Sequence, residues 1–378
     1  MFELTPAELK ARLDRQEAIA LLDVRNADEY EAWRIESKHG FPMAHVPYFD
    51  FIEDAEVAIA SLPFSREQEI VVVCAKGGSS EFVAEMLREA GYNALNMAQG
   101  MQGWGDLYEV REVVPSSDRL TLLQFNRVGK GCLSYLVGSG QEAIVVDPGR
   151  HVGQYLEEAQ KRGLSITHVV DTHVHADHVS GAPELAAVTG APYHLHEADA
   201  SFGKLEVATG EGQIRLGELV VDVLQEHTPG HTPGSTSLVV DERFLIAGDT
   251  LFVKSVGRPD LGGHAEEWAH DLYQTLVEKI RRLGDDTTVL PGHYASLDEI
   301  RDDGIVSGEL GEIRQNNPAL QLEDAKAFVA FIQENMRPQP ELYGEIRRVN
   351  LGLVEACEDQ RTALEIGKNQ CAASKAIV

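Results

Sequence analysis

The chain has 378 residues, 43% of them hydrophobic and 25% charged, with a formal net charge of -28. That balance excludes a disordered or fibrous chain and allows two domains, each with its own core. An acidic surface repels nucleic-acid phosphates and anionic membranes, and no apolar run approaches the ~20 residues of a bilayer span, so neither partner is expected. The first 25 residues are charged throughout and lack the basic-then-apolar layout of a secretory signal, so a cytoplasmic location is expected. The cysteines Cys74, Cys132, Cys357 and Cys371 lack metal-knuckle or paired redox spacing and are expected as thiols.

Residues 18–25 (AIALLDVR) and 69–76 (EIVVVCAK) read as buried parallel strands, and residues 80–92 as a helix closed by Gly91. Strand alternating with helix predicts an α/β domain with a central parallel sheet over residues 1–110. Proline and small polar residues place a linker at 111–118. The closely spaced runs LTLLQFN, CLSYLVG and EAIVVDPG predict antiparallel sheet opening a second domain, 119–355. Further strands end in polar clusters at 167–178, 220–234, 236–250 and 287–293, with helical patterns such as 264–283 between them. Helices outside two sheets, with ligands on strand-end loops, predict an αββα sandwich. From Asp324 the pattern is mostly helical, with an irregular proline-containing stretch at 337–352, and residues 356–378 are expected as a frayed helix or tail.

Cys74 ends the strand IVVV and precedes Lys76, Gly77, Gly78, Ser79 and Ser80, which lead into a helix. Backbone N–H groups converging at a helix N-terminus favour a thiolate and cradle anions, and Lys76 adds positive charge. A buried structural cysteine at a strand end is the alternative. The run LLDVR with Glu29 and Tyr30, the CAKGGSS loop and the later Gly100-Met-Gln-Gly103-Trp104 resemble the rhodanese-like sulfurtransferases over residues 1–110. The resemblance implies that Cys74 carries a persulfide inside a loop formed by Lys76 to Ser80. Many such loops have arginine where Ser79 stands, which leaves this pocket less positive and weakens the case for thiosulfate as donor. Asp23 and Arg25 read as a structural ion pair.

The densest polar cluster is Thr172-His173-Val174-His175-Ala176-Asp177-His178, placed at a strand end. Histidine is the commonest transition-metal ligand, and a strand-end loop can aim alternate side chains into one pocket. His231 in PGHTPG, Asp249 in AGDT and His293 in PGH follow, each beside a glycine that lets backbone pass close to a pocket. This order resembles the metallo-β-lactamase superfamily and occupies all its ligand positions: His173, His175, Asp177, His178, His231, Asp249 and His293.

Two branches of that superfamily compete. Glyoxalase II enzymes hydrolyse glutathione thioesters with two metals, whereas persulfide dioxygenases bind one Fe(II) and add O2 to a glutathione-type persulfide. Ligand count does not choose between them. THVHADH and Val256-Gly257-Arg258-Pro259-Asp260 resemble the dioxygenase forms, and the GRxFEG-type segment of glyoxalase II is missing. The stretch RPQPELYGEIRRVNLG is also similar to dioxygenases fused to rhodanese domains. In that branch His173, His231 and Asp249 are implied to hold one Fe(II). His175, Asp177, His178 and His293 surround it or, in the other branch, hold the second of two Zn ions. Arg258 and Asp260 are expected in the substrate pocket, an ion pair between them being the alternative. His194, His196, His227 and His264 read as ordinary polar residues.

The two resemblances together imply Fe(II)-dependent oxidation of a small-thiol persulfide by O2 to sulfite and thiol, coupled to sulfane-sulfur transfer through Cys74. The alternatives are a dinuclear-zinc hydroxyacylglutathione hydrolase with an accessory rhodanese domain, and a non-catalytic sulfur carrier or sensor. The carrier thiol is unspecified, and a homo-oligomer is compatible with such folds.

Overall fold

Residues 70–73 are completely buried because both faces of their sheet are covered. In the computed structural model, residues 2–203, 212–223 and 227–373 are described, and the chain divides into two units. Part of the predicted 220–234 cluster (224–226) and the end of the expected tail (374–378) lie outside the described residues. Among the described residues no helix is long and apolar enough to cross a membrane.

The first unit is built around residues up to Tyr108. Its strands are β1 (Glu3–Leu4), β2 (Ile19–Asp23), β3 (Met43–His45), β4 (Glu69–Val73) and β5 (Asn93–Met97), in the order β1-β5-β4-β2-β3. Every pair is parallel, as predicted. Neighbouring side chains on a strand point to opposite faces. Accordingly, Leu22 and Val72 pack with Phe51, Val83 and Leu87 on one side, while Leu21 and Val71 pack with Leu9, Met101 and Trp104 on the other. The helix after Cys74 runs Gly78–Glu89, and Gly91 at φ +87° turns the chain out of it.

The second unit is a sandwich. One sheet contains β6 (Tyr108–Glu112), β7 (Thr121–Arg127), β8 (Cys132–Ser139), β9 (Glu142–Val146), β10 (Ser165–Val170) and β11 (Tyr193–His194), ordered from β11 back to β6. Its β8–β9 pair is antiparallel, while β9–β10 and β10–β11 are parallel, so the expected antiparallel start gives way to a mixed sheet. The other contains β12 (Gln213–Leu216), β13 (Leu219–Val223), β14 (Leu238–Val240), β15 (Phe244–Gly248), β16 (Thr288–Pro291) and β17 (Gly308–Glu309), in sequence order. Leu122, Tyr135, Val137 and Ile144 from the first sheet meet Leu216, Val221, Leu238, Ile246 and Leu290 from the second in one core. On the outer face of β15 and β16, Leu245 and Val289 pack against Leu272 and Leu276 of helix Ala265–Glu278 and Phe328 of helix Ala325–Asn335. Helices Gly153–Lys161 and Ala182–Thr189 lie against β10, completing the αββα layers.

Three expectations need correction. The linker at 111–118 begins inside β6, and Val113 N–H donates to the Leu122 carbonyl at 2.8 Å, so this stretch is partly sheet. The stretch 337–352 is helical over Tyr343–Asn350. The tail contains helix Glu358–Leu364 and is anchored by Glu365, whose buried carboxylate meets Arg150 Nε at 2.6 Å. That ion pair spans 215 positions and leaves no trace in local pattern.

In the first unit Arg25 and Asp23 form the expected pair, Nη2 to Oδ2 at 2.7 Å, with side chains only 4% and 2% exposed. The same Nη2 donates to the Trp33 carbonyl at 2.6 Å. Arg25→Met strands the Asp23 carboxylate in the interior, so chemical denaturation should show the unit about 3–5 kcal/mol less stable.

Candidate metal centre and thiol loop

The metal-capable loop leaves β10 and is fixed by side chains remote in sequence. Asp147 accepts Thr172 N–H at 2.6 Å and the Thr172 hydroxyl at 2.9 Å. Asn350 Nδ2 donates to the carbonyls of His175 and His178, at 2.9 and 2.8 Å. Glu365 Oε1 accepts Val179 N–H at 2.7 Å. Asp199 ties this loop to the next one, accepting Val174 N–H (2.8 Å), the Thr232 hydroxyl (2.7 Å) and Gly234 N–H (2.9 Å). Asp249 follows β15, and His293 follows β16. Beside them Gly257 leaves no room for a side chain, since a Cβ would stand 1.9 Å from the Asp249 carbonyl.

His173, His231 and Asp249 converge. Asp249 Oδ2 lies 3.4 Å from His231 Nε2 and 3.8 Å from His173 Nε2. All three residues are buried, and these three atoms have no hydrogen-bond partner among the described residues. Each side chain is held by its other polar atom. His231 Nδ1–H donates to the Arg258 carbonyl at 2.8 Å, which leaves Nε2 with its lone pair free. The Thr172 hydroxyl gives its proton to Asp147 and so accepts from His173 Nδ1 at 2.9 Å, with the same result. Asp249 Oδ1 is taken by His293 Nδ1 at 2.5 Å.

The electrostatics agree with this hydrogen-bond logic. Burial, then His175, pushes His173 well below its ordinary range, and burial lowers His231. Burial alone would raise Asp249, but His293, His231 and His173 outweigh it and keep the carboxylate ionised. Two neutral imidazoles and one carboxylate form a donor set for a divalent transition metal. Three buried lone pairs without partners are costly unless a cation meets them. The residues present therefore fit a metal ion.

Of the other four predicted positions, His175 also has both ring nitrogens buried without a hydrogen-bond partner among the described residues, whereas Asp177, His178 and His293 are joined to one another. His175 Nε2 faces Asp147 at 3.2 Å and Asp171 at 3.5 Å; burial opposes its charge, but Asp147 prevails and holds it well above its ordinary range. Asp177 accepts from His178 Nδ1, His293 Nε2 and the Cys132 thiol, each at 3.0 Å. Burial pulls His178 down, yet Asp177 carries it to about 9. His293 has a carboxylate at each nitrogen and is likewise raised well above normal, against the effect of burial. Donor atoms of Cys132, Asp177, His178 and His293 also lie within 4.8 Å of one another, but hydrogen bonds already join these residues through Asp177. His194, His196, His227 and His264 join none of these groups among the described residues.

Of the two readings of Arg258 and Asp260, the structure forms the ion pair. The Arg258 side chain is 1% exposed and pairs with Asp260 at 2.6 Å. Its remaining donors go to the carbonyls of Gln370 (3.1 Å) and Arg337 (2.8 Å), so the pair clamps later chain segments into place. The motif shows which residues are present, whereas the backbone around them decides where five donors point.

In the first unit Cys74 is buried, and its sulfur accepts from Gly77 N–H at 3.0 Å and the Ser80 hydroxyl at 3.1 Å. Gly77 adopts φ +97°, the left-handed conformation that turns this N–H inward. Gly100 is required too, because a Cβ there would stand 2.2 Å from the Cys74 carbonyl. Of the predicted loop, Gly77 and Ser80 reach the sulfur, Lys76 and Gly78 are exposed, and Ser79 is half-buried. Asn96, which carries no motif, meets the Ser80 hydroxyl at 2.7 Å.

Because Gly257 packs between Asp249 and His231, Gly257→Ala should displace both ligands. Chelator competition should then show metal affinity reduced about 10- to 100-fold; unaltered affinity would place the ion elsewhere.

Comparison with known proteins follows the same division. Residues 127–293 match the profile of the metallo-beta-lactamase superfamily, and residues 5–107 that of the rhodanese-like domain. The probable metallo-hydrolase YqgX of Bacillus subtilis is 32% identical over 189 residues, covering 44% of this chain and 86% of its own length. A hydroxyacylglutathione hydrolase of Polaromonas sp. is 30% identical over 216 residues, covering 53% of this chain and 80% of that protein. The crystal structure of ETHE1 from Myxococcus xanthus aligns with a TM-score of 0.52 at 28% identity, covering 61% of this chain and 98% of that one. The chain therefore belongs to the metallo-beta-lactamase superfamily and carries a rhodanese-like domain N-terminal to that fold.

Proposed function

We propose that this protein oxidises a low-molecular-weight persulfide of the glutathione type at a single Fe(II) and moves sulfane sulfur through Cys74. The observation that carries this reading is the contrast inside the metal pocket. His173, His231 and Asp249 present three partnerless donor atoms, whereas Asp177, His178 and His293 are joined by hydrogen bonds. One ion on a face of two histidines and one carboxylate keeps open positions for guests. Fe(II) bound there supplies open coordination positions and the electrons that O2 requires.

The protein residues supply orientation and exclusion. Asp147 through Thr172, and the Arg258 carbonyl, fix the two imidazoles with Nε2 forward. Ala176, Phe252, Leu261 and Tyr343 form an apolar wall beside the ligand loop, which suits a sulfur substrate and keeps bulk water away. The net reaction consumes persulfide, O2 and water, and yields thiol, sulfite and two protons. In the rhodanese-like domain, the Gly77 N–H and Ser80 hydroxyl are donors that would hold the outer sulfur of a Cys74 persulfide as an anion.

A second reading is a dinuclear-zinc thioester hydrolase. It draws on the Polaromonas relative and on the spacing of Cys132, Asp177, His178 and His293. Metal analysis of the purified protein should give about one iron per chain on the first reading and two zincs on the second. Oxygen uptake with glutathione persulfide, and none of the expected hydrolysis of a hydroxyacylglutathione thioester, is the matching activity result; the reverse pattern establishes the hydrolase. Cys74→Ser should leave that oxygen uptake intact while abolishing sulfur transfer to an acceptor thiol. Equal loss of both would refute the division of labour.

A further inference from the structure

Asn96 is a buried polar side chain in the sheet that carries Cys74. It lies in β5, 3% exposed, with Val72 of β4 as its register partner on one side and Glu3 of β1 on the other. A buried amide persists only where its hydrogen bonds are met. Here Nδ2 donates to Glu3 Oε1 at 3.3 Å, which fixes the orientation of the amide, since the reverse would set its oxygen against a carboxylate. Oδ1 therefore faces the Ser80 hydroxyl, at 2.7 Å.

Ser80 is completely buried and has one proton to give, with three acceptors in reach. They are Asn96 Oδ1 at 2.7 Å, the Gly77 carbonyl at 3.0 Å and Cys74 Sγ at 3.1 Å. The Gly77 carbonyl is already taken by Glu81 N–H. Between the other two, charge decides. A neutral thiol is a weak acceptor, so the amide oxygen wins the proton, and the lone pairs of Ser80 are left to receive the thiol S–H. An anionic sulfur accepts about twice as strongly as a neutral group and draws the hydroxyl to itself. The contact between Ser80 and Cys74 thus runs in either direction, and Asn96 sets which.

We propose that Asn96 is a positioning residue for the Cys74 sulfur: it holds the Ser80 proton while the sulfur is neutral and gives it up when the sulfur is an anion. On ionisation the thiol proton passes to water, and the hydroxyl turns from amide to sulfur. Gly77 N–H serves the sulfur in both states. A persulfide is more acidic than the thiol it comes from, so the turn accompanies loading with sulfur, and the empty cysteine is kept as a thiol. This inference rests on the reading of Cys74 as the sulfur carrier.

The test follows the Raman S–H stretch of Cys74 in the full chain at mildly acidic pH, isolated as the difference from Cys74→Ser. In the wild-type protein the band should lie at the lowered frequency of an S–H that donates; the frequency of a free thiol overturns the proposal. Asn96→Leu, similar in size and unable to accept, should return the band to the free position. The pH at which the Cys74 thiolate absorbs in the ultraviolet should also fall by about one unit, because the freed hydroxyl favours the anion roughly tenfold. On a Ser80→Ala background, Asn96→Leu should change neither signal. A profile unaltered by Asn96→Leu, or a shift that persists without the Ser80 hydroxyl, overturns the proposal and leaves Cys74 as carrier. Sulfur transfer to an acceptor thiol is measured alongside; equal transfer by wild type and Cys74→Ser removes the carrier reading, and the proposal with it.

Discussion

A buried polar atom without a partner is among the more expensive features a folded chain can keep, and this protein keeps three of them facing one point. The cost is tolerable because the surrounding structure over-determines the side chains that carry them. Thr172 and Asp147 hold His173, the Arg258 carbonyl holds His231, and His293 holds Asp249. Each of these contacts leaves the ligand no comfortable alternative pose. The two sheets of the sandwich bring the four contributing loops together, since β10, β15 and β16 deliver their polar ends to the same edge of the core.

Much of this was legible in the chain itself. The parallel sheet of the first unit could be read from continuous apolar runs, because a strand covered on both faces has no polar side to show. The metal-capable clusters could be read from histidines and aspartates at strand ends, because such residue types are rarely concentrated without use; the choice of His173, His231 and Asp249 among them was what the family resemblance implied. What escaped was everything whose meaning lies in a distant partner. Asp199 looks like one more surface acid, yet it joins two ligand loops that lie 25 residues before it and 35 after it in sequence. Asn350 and Glu365 sit in stretches with little pattern and nonetheless hold the backbone of the ligand loop from more than 170 positions away. The short, charged β6 gave no strand signal because edge strands need few apolar residues.

Two of the buried thiols differ for the same reason in how much the sequence around them reveals. Cys74 stood in a loop whose neighbours were informative, and the structure accounts for its glycines by close backbone approach and an inward N–H. Cys371 stood in an uninformative terminal stretch, and only the fold brings it beside Asp249 and His293. Arg258 shows the opposite relation, since the sequence left both a pocket role and an ion pair open. A charged residue in a recognisable segment invites a substrate role, but here it is a crosspiece of the framework, with its carbonyl serving His231 and its guanidinium serving the terminal segment.

Asp199 has one further consequence. By gripping the loops of His173 and His231 with a single carboxylate, it prevents either imidazole from drifting independently of the other. The cage is thus preorganised: its entropy was surrendered when the chain folded, and an arriving cation finds the donors in place rather than having to assemble them. A stiff cage of that kind selects ions by radius and preferred geometry more sharply than by raw affinity.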